Sequence, residues 1–218
     1  MNRMTILLGG LLATLMIATS AAAVPFYMTT YENADNADVS DLNLWFDVTD
    51  GGTFVDFAFY NSSTTASIIT NIYFESSGAG LQLGTSGIEE ESAGVDFSPG
   101  GNPANPVQNA IDWAGTEANF RARNPAPRNG IGISLPTATA EWLTIRFDYG
   151  QSNYSDVVSD LQSGDFRVAQ HVTGLPSSIW TVSSEGPADP VPLPASIWLL
   201  GSGLIGWAGS RRLAKQRR

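Results

Sequence analysis

The sequence predicts a mostly-β fold. The expected form is an antiparallel β-sandwich, jelly-roll-like, held between a cleaved N-terminal signal peptide and one C-terminal transmembrane helix. Three observations carry this. Several runs alternate apolar and polar residues with period two, the pattern of half-buried strands. Gly, Pro, Asn and Ser crowd the connections, most densely at Ser98-Pro99-Gly100-Gly101-Asn102-Pro103-Ala104-Asn105-Pro106. The two ends of the chain differ in composition from everything between them.

The strands are taken in chain order. Leu42, Leu44, Phe46 and Val48 alternate with Asn43, Trp45 and Asp47. Val55, Phe57 and Phe59 alternate with Asp56, Ala58 and Tyr60. Between the two runs, Asp50-Gly51-Gly52 is a tight-turn signal, so together they predict a hairpin. Residues 68–74 predict a further strand. Leu143, Ile145, Phe147 and Tyr149 alternate with Trp142, Thr144, Arg146 and Asp148, and Phe166, Val168 and Gln170 with Arg167, Ala169 and His171. Residues 179–182 form a last short strand. One helix is expected over 156–162, with Ser155 as N-cap and Gly164 as terminator. Strands joined by turn-rich links bury one face each, which favours two packed antiparallel sheets.

At the front, Arg3 precedes an apolar run over 6–18, followed by small residues at Ala21 and Ala23. A charged start, a short apolar stretch and an A-x-A site make a signal peptide. The apolar run is too short to span a bilayer, which takes about 20 residues. The general secretion machinery and signal peptidase are therefore expected partners, with cleavage after Ala23. At the back, no charged residue occurs from Pro190 to Ser210, and Arg211, Arg212, Lys215, Arg217 and Arg218 follow. That is a short membrane helix with a basic stop on the cytoplasmic side. A polar, proline-bearing linker over 183–190 separates it from the domain.

The tail reads Val191-Pro192-Leu193-Pro194-Ala195-Ser196, then Trp198-Leu199-Leu200-Gly201-Ser202-Gly203-Leu204, then Arg211-Arg212. It strongly resembles the PEP-CTERM sorting signal. The resemblance implies an exported protein of a Gram-negative bacterium, anchored transiently in the inner membrane. An exosortase is then expected to process it near the proline motif, for delivery to the cell surface or to the extracellular matrix. Leu193 stands where the motif usually has glutamate. Four parts result: signal peptide 1–23, β-sandwich ectodomain 24–182, linker 183–190 and sorting tail 191–218. The middle also resembles ectodomains found with such tails, at Asn71-Ile72-Tyr73-Phe74, at residues 94–103, at Gly164-Asp165-Phe166-Arg167-Val168 and at His171-Val172. That likeness implies fold and location and carries no activity.

Charge and composition narrow the function. All 21 acidic residues lie between Glu32 and Asp189, where only five arginines and no lysine accompany them, a net charge of −16. Such a domain repels nucleic acid. With no cysteine, thiolate chemistry and disulfides are excluded. The single histidine, His171, falls on an expected strand. There is no G-x-S-x-G elbow, no P-loop and no zinc-type histidine pair. The expected function is therefore non-catalytic: a surface or matrix protein associated with exopolysaccharide or biofilm, with no cofactor. The alternative is a carbohydrate-binding module or adhesin. For it, Trp45 and Trp142 on the outer faces of their strands are candidate sugar-stacking residues, a second core being the other use of tryptophan there. Calcium at Asp35, Asp38 and Asp41 is the one candidate metal, because hard cations want clustered oxygens. A glycan hydrolase using two carboxylates is the less favoured enzyme reading. N-terminal sequencing of the exported protein should read Val-Pro-Phe-Tyr from Val24; a start elsewhere, or an intact Met1, refutes the cleavage site.

Overall fold

The computed structural model describes residues 23–32, 38–75, 83–100, 113, 115–123, 129–133 and 141–184. Residue type decides which way each strand faces. In β2 (Leu44–Asp50), Leu44, Phe46 and Val48 are buried, while Trp45, Asp47 and Thr49 point outward. In β3 (Phe54–Asn61), Val55, Phe57 and Phe59 face in. The two strands pair antiparallel from Leu44 opposite Asn61 to Asp50 opposite Val55. The turn between them forms as expected. Asp50 Oδ1 accepts from Gly52 N at 2.7 Å, and Gly52 takes φ +85°, which glycine adopts without a Cβ clash.

Two sheets follow. In the first, β5 (Ser86–Glu91), β9 (Trp142–Asp148), β3, β2 and β1 (Val24–Glu32) lie side by side. In the second, β1 is followed by β11 (Ile179–Ser183), β10 (Val168–Thr173), β4 (Ile68–Glu75), β7 (Thr116–Ala122) and β6 (Phe97–Pro99), with β8 (Ile131–Gly132) also on β4. Strand β1 belongs to both. Its residues 24–27 pair with β2, and its later residues pair with β11, with an irregularity between Thr30 and Glu32. At the far side the path nearly closes, because Phe97 N of β6 donates to Glu91 Oε1 of β5 at 2.5 Å. The fold is thus mostly β and antiparallel, as the alternation predicts. It is nearly a barrel rather than the two separate layers expected of a sandwich, because one strand serves both sheets.

The interior is aromatic. Nine of the ten phenylalanines are buried, at positions 26, 46, 57, 59, 74, 97, 120, 147 and 166. Phe74 is at the centre of the group. Its ring lies 4.7 Å from Phe147 and 5.1 Å from Phe57 between centroids, both edge to face, and 6.3 Å from Phe166. Such geometry adds to the burial of each ring.

Helix α1 (Tyr154–Ser163) packs Val157 and Leu161, one turn apart, onto this core. Its N-cap is Asn153, not the expected Ser155. Asn153 Oδ1 accepts from Ser155 N at 2.9 Å and Asp156 N at 3.3 Å, and Asp156 Oδ2 accepts from Asn153 N at 3.1 Å, a complete capping box. Gly164 ends the helix in the left-handed conformation, φ +80°, as predicted.

Strand β11 includes Ser183, and Ser184 N donates to Tyr27 O at 2.9 Å, so the sheet takes in the first two residues of the expected linker. The remainder of that linker, the sorting tail and residues 1–22 of the signal peptide lie outside the described residues. Among the described residues no helix is long and apolar enough to cross a membrane. Phe74→Ala should lower stability by about 4 kcal/mol through lost burial and the cavity left behind. A shift in the urea midpoint equivalent to less than about 1 kcal/mol would show that the ring cluster does not hold the two sheets together.

Candidate functional site

The outer face of the first sheet carries a cross-strand row of four aromatic residues. Tyr27 of β1 is opposite Trp45 of β2, Trp45 opposite Tyr60 of β3, and Tyr60 opposite Trp142 of β9. Adjacent strands lie about 4.8 Å apart, so the row runs about 14 Å across the strands. Tyr27 is 41 % exposed and the other three are half-buried. Trp45 and Trp142, the two candidate stacking residues, thus lie in one line with a tyrosine between them. Trp45 stacks on Tyr60, with centroids 4.3 Å apart and an interplanar angle of 22°, and its Nε1 donates to Ser62 Oγ at 3.2 Å. One ring face of Trp45 is therefore taken. Among the described residues Trp142 makes no ring–ring contact, which leaves it the freer platform.

Two residues further along each strand lies a row of short side chains: Pro25, Asp47, Ala58 and Thr144, ending at Glu90 of β5. The next row carries Thr49, Asp56 and Arg146, of which the arginine stands taller than the floor. Arg146 is bidentate to Asp56, at 2.7 and 2.8 Å, and also reaches Glu89 at 2.9 Å. Its guanidinium lies 3.6 Å over the Phe54 ring. The first sheet therefore presents a shallow trough across its strands, with aromatic rings on one side and, on the other, an ion-pair cluster of one arginine and two carboxylates that keeps a net negative charge. Asp47 sits in its floor, and burial raises that carboxyl above the usual aspartate value.

The outer face of the second sheet is covered by its own side chains. Tyr73, Ala169, Trp180 and Trp113 form a second buried cluster with Tyr31 against it. The His171 ring packs tilted against Trp180, with centroids 4.6 Å apart, and its Nδ1 lies 3.1 Å from Thr70 Oγ1. That hydroxyl also donates to the His171 carbonyl at 3.2 Å, and Thr70 is 7 % exposed. A histidine beside a hydroxyl is the start of a nucleophilic pair. Here the hydroxyl is closed off, and among the described residues no carboxylate orients the ring. Burial holds the imidazole below its ordinary value of 6.5. Close by, Arg167 is bidentate to Glu75, at 2.6 and 2.5 Å, with Glu75 only 3 % exposed.

An open hollow at one end of the barrel is lined by Asp50, Asp148, Tyr149, Asn153 and Tyr154, among others. Its polar groups are engaged in holding the fold. Tyr149 OH donates to Asp50 at 2.6 Å, Tyr154 OH donates to Val48 O at 3.1 Å, and Asn153 caps the helix. Burial, with Asp50 as acceptor, raises the Tyr149 phenol well above its ordinary range. Of the candidate calcium ligands, Asp35 lies outside the described residues. Asp38 accepts from Ser40 N at 3.0 Å and Ser40 Oγ at 2.6 Å, a local turn, and Asp41 is exposed. Among the described residues no group of three His, Cys, Asp or Glu is placed to hold a metal.

Against known families, residues 190–212 match the model of the PEP-CTERM protein-sorting motif. The chain carries that motif. The matched span holds Val191, Pro192, Leu193, Pro194 and Ala195 of the proline segment and both Arg211 and Arg212 of the basic end. A PEP-CTERM motif near the C-terminus implies export, transient anchoring in the membrane and processing by an exosortase. Neither the curated proteins nor the solved structures include a match to the chain.

Sequence reasoning passed over Tyr27, on a strand it did not predict, and Tyr60. The place of Tyr60 between the tryptophans follows from pairing register, though its alternation with Phe57 and Phe59 had put it on the outer face. The depressed imidazole gives a pH test. His171 is charged in the unfolded chain below about pH 6.5 and resists protonation when folded, so its contribution to stability is present above that pH and is lost as pH falls through the folded value. Urea unfolding between pH 7.5 and 5.5 should show stability falling with pH, and His171→Phe should flatten the slope; an unchanged slope removes the histidine as its cause.

Proposed function

We propose that this chain is a non-catalytic extracellular protein, delivered by exosortase processing and lodged in polysaccharide at the cell surface. The single observation behind it is the sorting motif at residues 190–212. The residue inventory favours a non-catalytic role. The one histidine is packed against Trp180, and three of the five arginines in the acidic span form ion pairs with Asp96, Asp56 and Glu75. Residues 24–184 would be the cargo, and the tail its address.

A second reading, carbohydrate binding, is favoured by a specific observation: the aligned row of Tyr27, Trp45, Tyr60 and Trp142 on a solvent-facing sheet. Soluble domains seldom leave several large rings together outside unless they contact something. The two readings are compatible, since a matrix protein that grips the matrix needs a surface to do it.

Fusing residues 183–218 to a secreted reporter tests the first. With exosortase present the reporter should leave the membrane fraction, and without it the reporter should remain there. Equal distribution in both strains refutes sorting by this tail.

A further inference from the structure

The trough in the first sheet has a chemistry of its own. Its floor is Pro25, Asp47, Ala58 and Thr144, one residue from each of four adjacent strands, all half-buried. Its two walls are four residues apart along each strand, about 13 Å. One wall is the ring row. The other is Thr49, Asp56 and Arg146, in which the arginine is matched by Asp56 and Glu89. Asp47 is the ionisable group of the floor's centre, and Glu90 ends the floor. Among the described residues Asp47 makes no hydrogen bond or ion pair. Its neighbours in the row, Pro25 and Ala58, have nothing to donate.

A carboxylate drawn half out of water without a partner is costly to cover further. A neutral polymer lying in the trough would finish its desolvation and supply no charge. An anionic polymer would meet Asp47 and Glu90, and among the described residues the arginine of the trough, Arg146, is already paired, in a domain of net charge −16. A ligand bearing an ammonium group solves both problems. It offers three N–H donors to the carboxylate in a charge-assisted contact, and the aromatic wall attracts the same cation through its ring faces.

We propose that the trough binds a linear polysaccharide with free amino groups, a glucosamine-type chain lying across β1, β2, β3 and β9, with one ammonium seated on Asp47. The apolar faces of its sugars lie against Trp142 and the rings beside it. The proposal rests on the carbohydrate-binding reading above and adds the charge of the polymer to it.

The test uses the full chain in detergent, at about 0.15 M salt. Binding of a glucosamine hexamer, its fully N-acetylated counterpart and a galacturonate hexamer is followed by calorimetry. The amine form should bind about tenfold tighter than the acetylated form, the scale of one charge-assisted hydrogen bond, and the anionic form should not bind. Asp47→Asn should bring the amine and acetylated forms to equal affinity. Asp160→Asn on α1 removes the same charge away from the trough and should leave the ratio intact. Trp142→Ala should weaken both glucosamine oligomers. Equal losses in the Asp47 and Asp160 variants mean bulk charge attraction and overturn the proposal. Equal binding of the amine and acetylated forms by the unaltered chain overturns it too, but keeps carbohydrate binding. No binding of any oligomer removes both.

Discussion

The architecture depends on one strand being divided between two sheets. Residues 24–27 of β1 pair with β2, and from Met28 the strand pairs with β11. A strand that changes partners must bend; the change falls between Tyr27 and Met28, and the ladder to β11 then shifts register between Thr30 and Glu32. That bend turns what would be two facing layers into one nearly closed surface. Near-closure leaves β5 and β6 at the ends of the path and hides the edges of the strands between them, which could otherwise pair with other chains. It also encloses a space that must be filled, and large rings fill it. Phe26 carries the same constraint inward, since it stacks on Phe46 at 5.4 Å while Tyr27 beside it starts the outer aromatic row.

What the sequence makes legible follows from how local each signal is. The β2–β3 hairpin is readable because alternation and an Asp-Gly-Gly turn agree within twenty residues. The β9 strand is readable for the same reason. Strand β1 is not, because Pro25 breaks the strand signal and the two halves of the strand answer to different sheets. Strand β5 is hidden by Glu89-Glu90-Glu91, which reads as a solvated acidic run. It is in fact an edge strand, where charge is the usual guard against mispairing. The helix is legible but its cap is not: Asn153 and Ser155 are both good caps, and only the reciprocal bond from Asp156 chooses between them.

The candidate site divides the same way. That Trp45 and Trp142 face outward is legible, because each alternates with buried residues on its own strand. That they fall in one line is not, since it depends on the register of β2 on β3 and of β3 on β9, which are separated by eighty residues of chain. Asp47 gains its interest in the same way. On its own strand it is one more acid among 21. Only the cross-strand row shows that among the described residues it has no partner while Asp56, in the next row of the same face, is bidentate to Arg146. Acidity is spread along the chain, and pairing makes it specific.

The end of the domain connects the site to the sorting tail. Ser184 N bonds the Tyr27 carbonyl, so the chain leaves the sheet at the strand that starts the aromatic row. Six residue steps lead from Ser184 to Pro190, the first residue of the matched motif. Fully extended, they reach about 20 Å. On the proposed reading, a polymer in the trough would lie within a short tether of the sorting motif. On an anchored chain the ectodomain explores only the volume that this tether allows, which raises the effective concentration of the trough near the membrane. On the proposed reading, processing of the tail would remove that constraint and retention would fall to the trough's own affinity. Ionic pairing between an amine-bearing polymer and the half-buried Asp47 would then carry that retention.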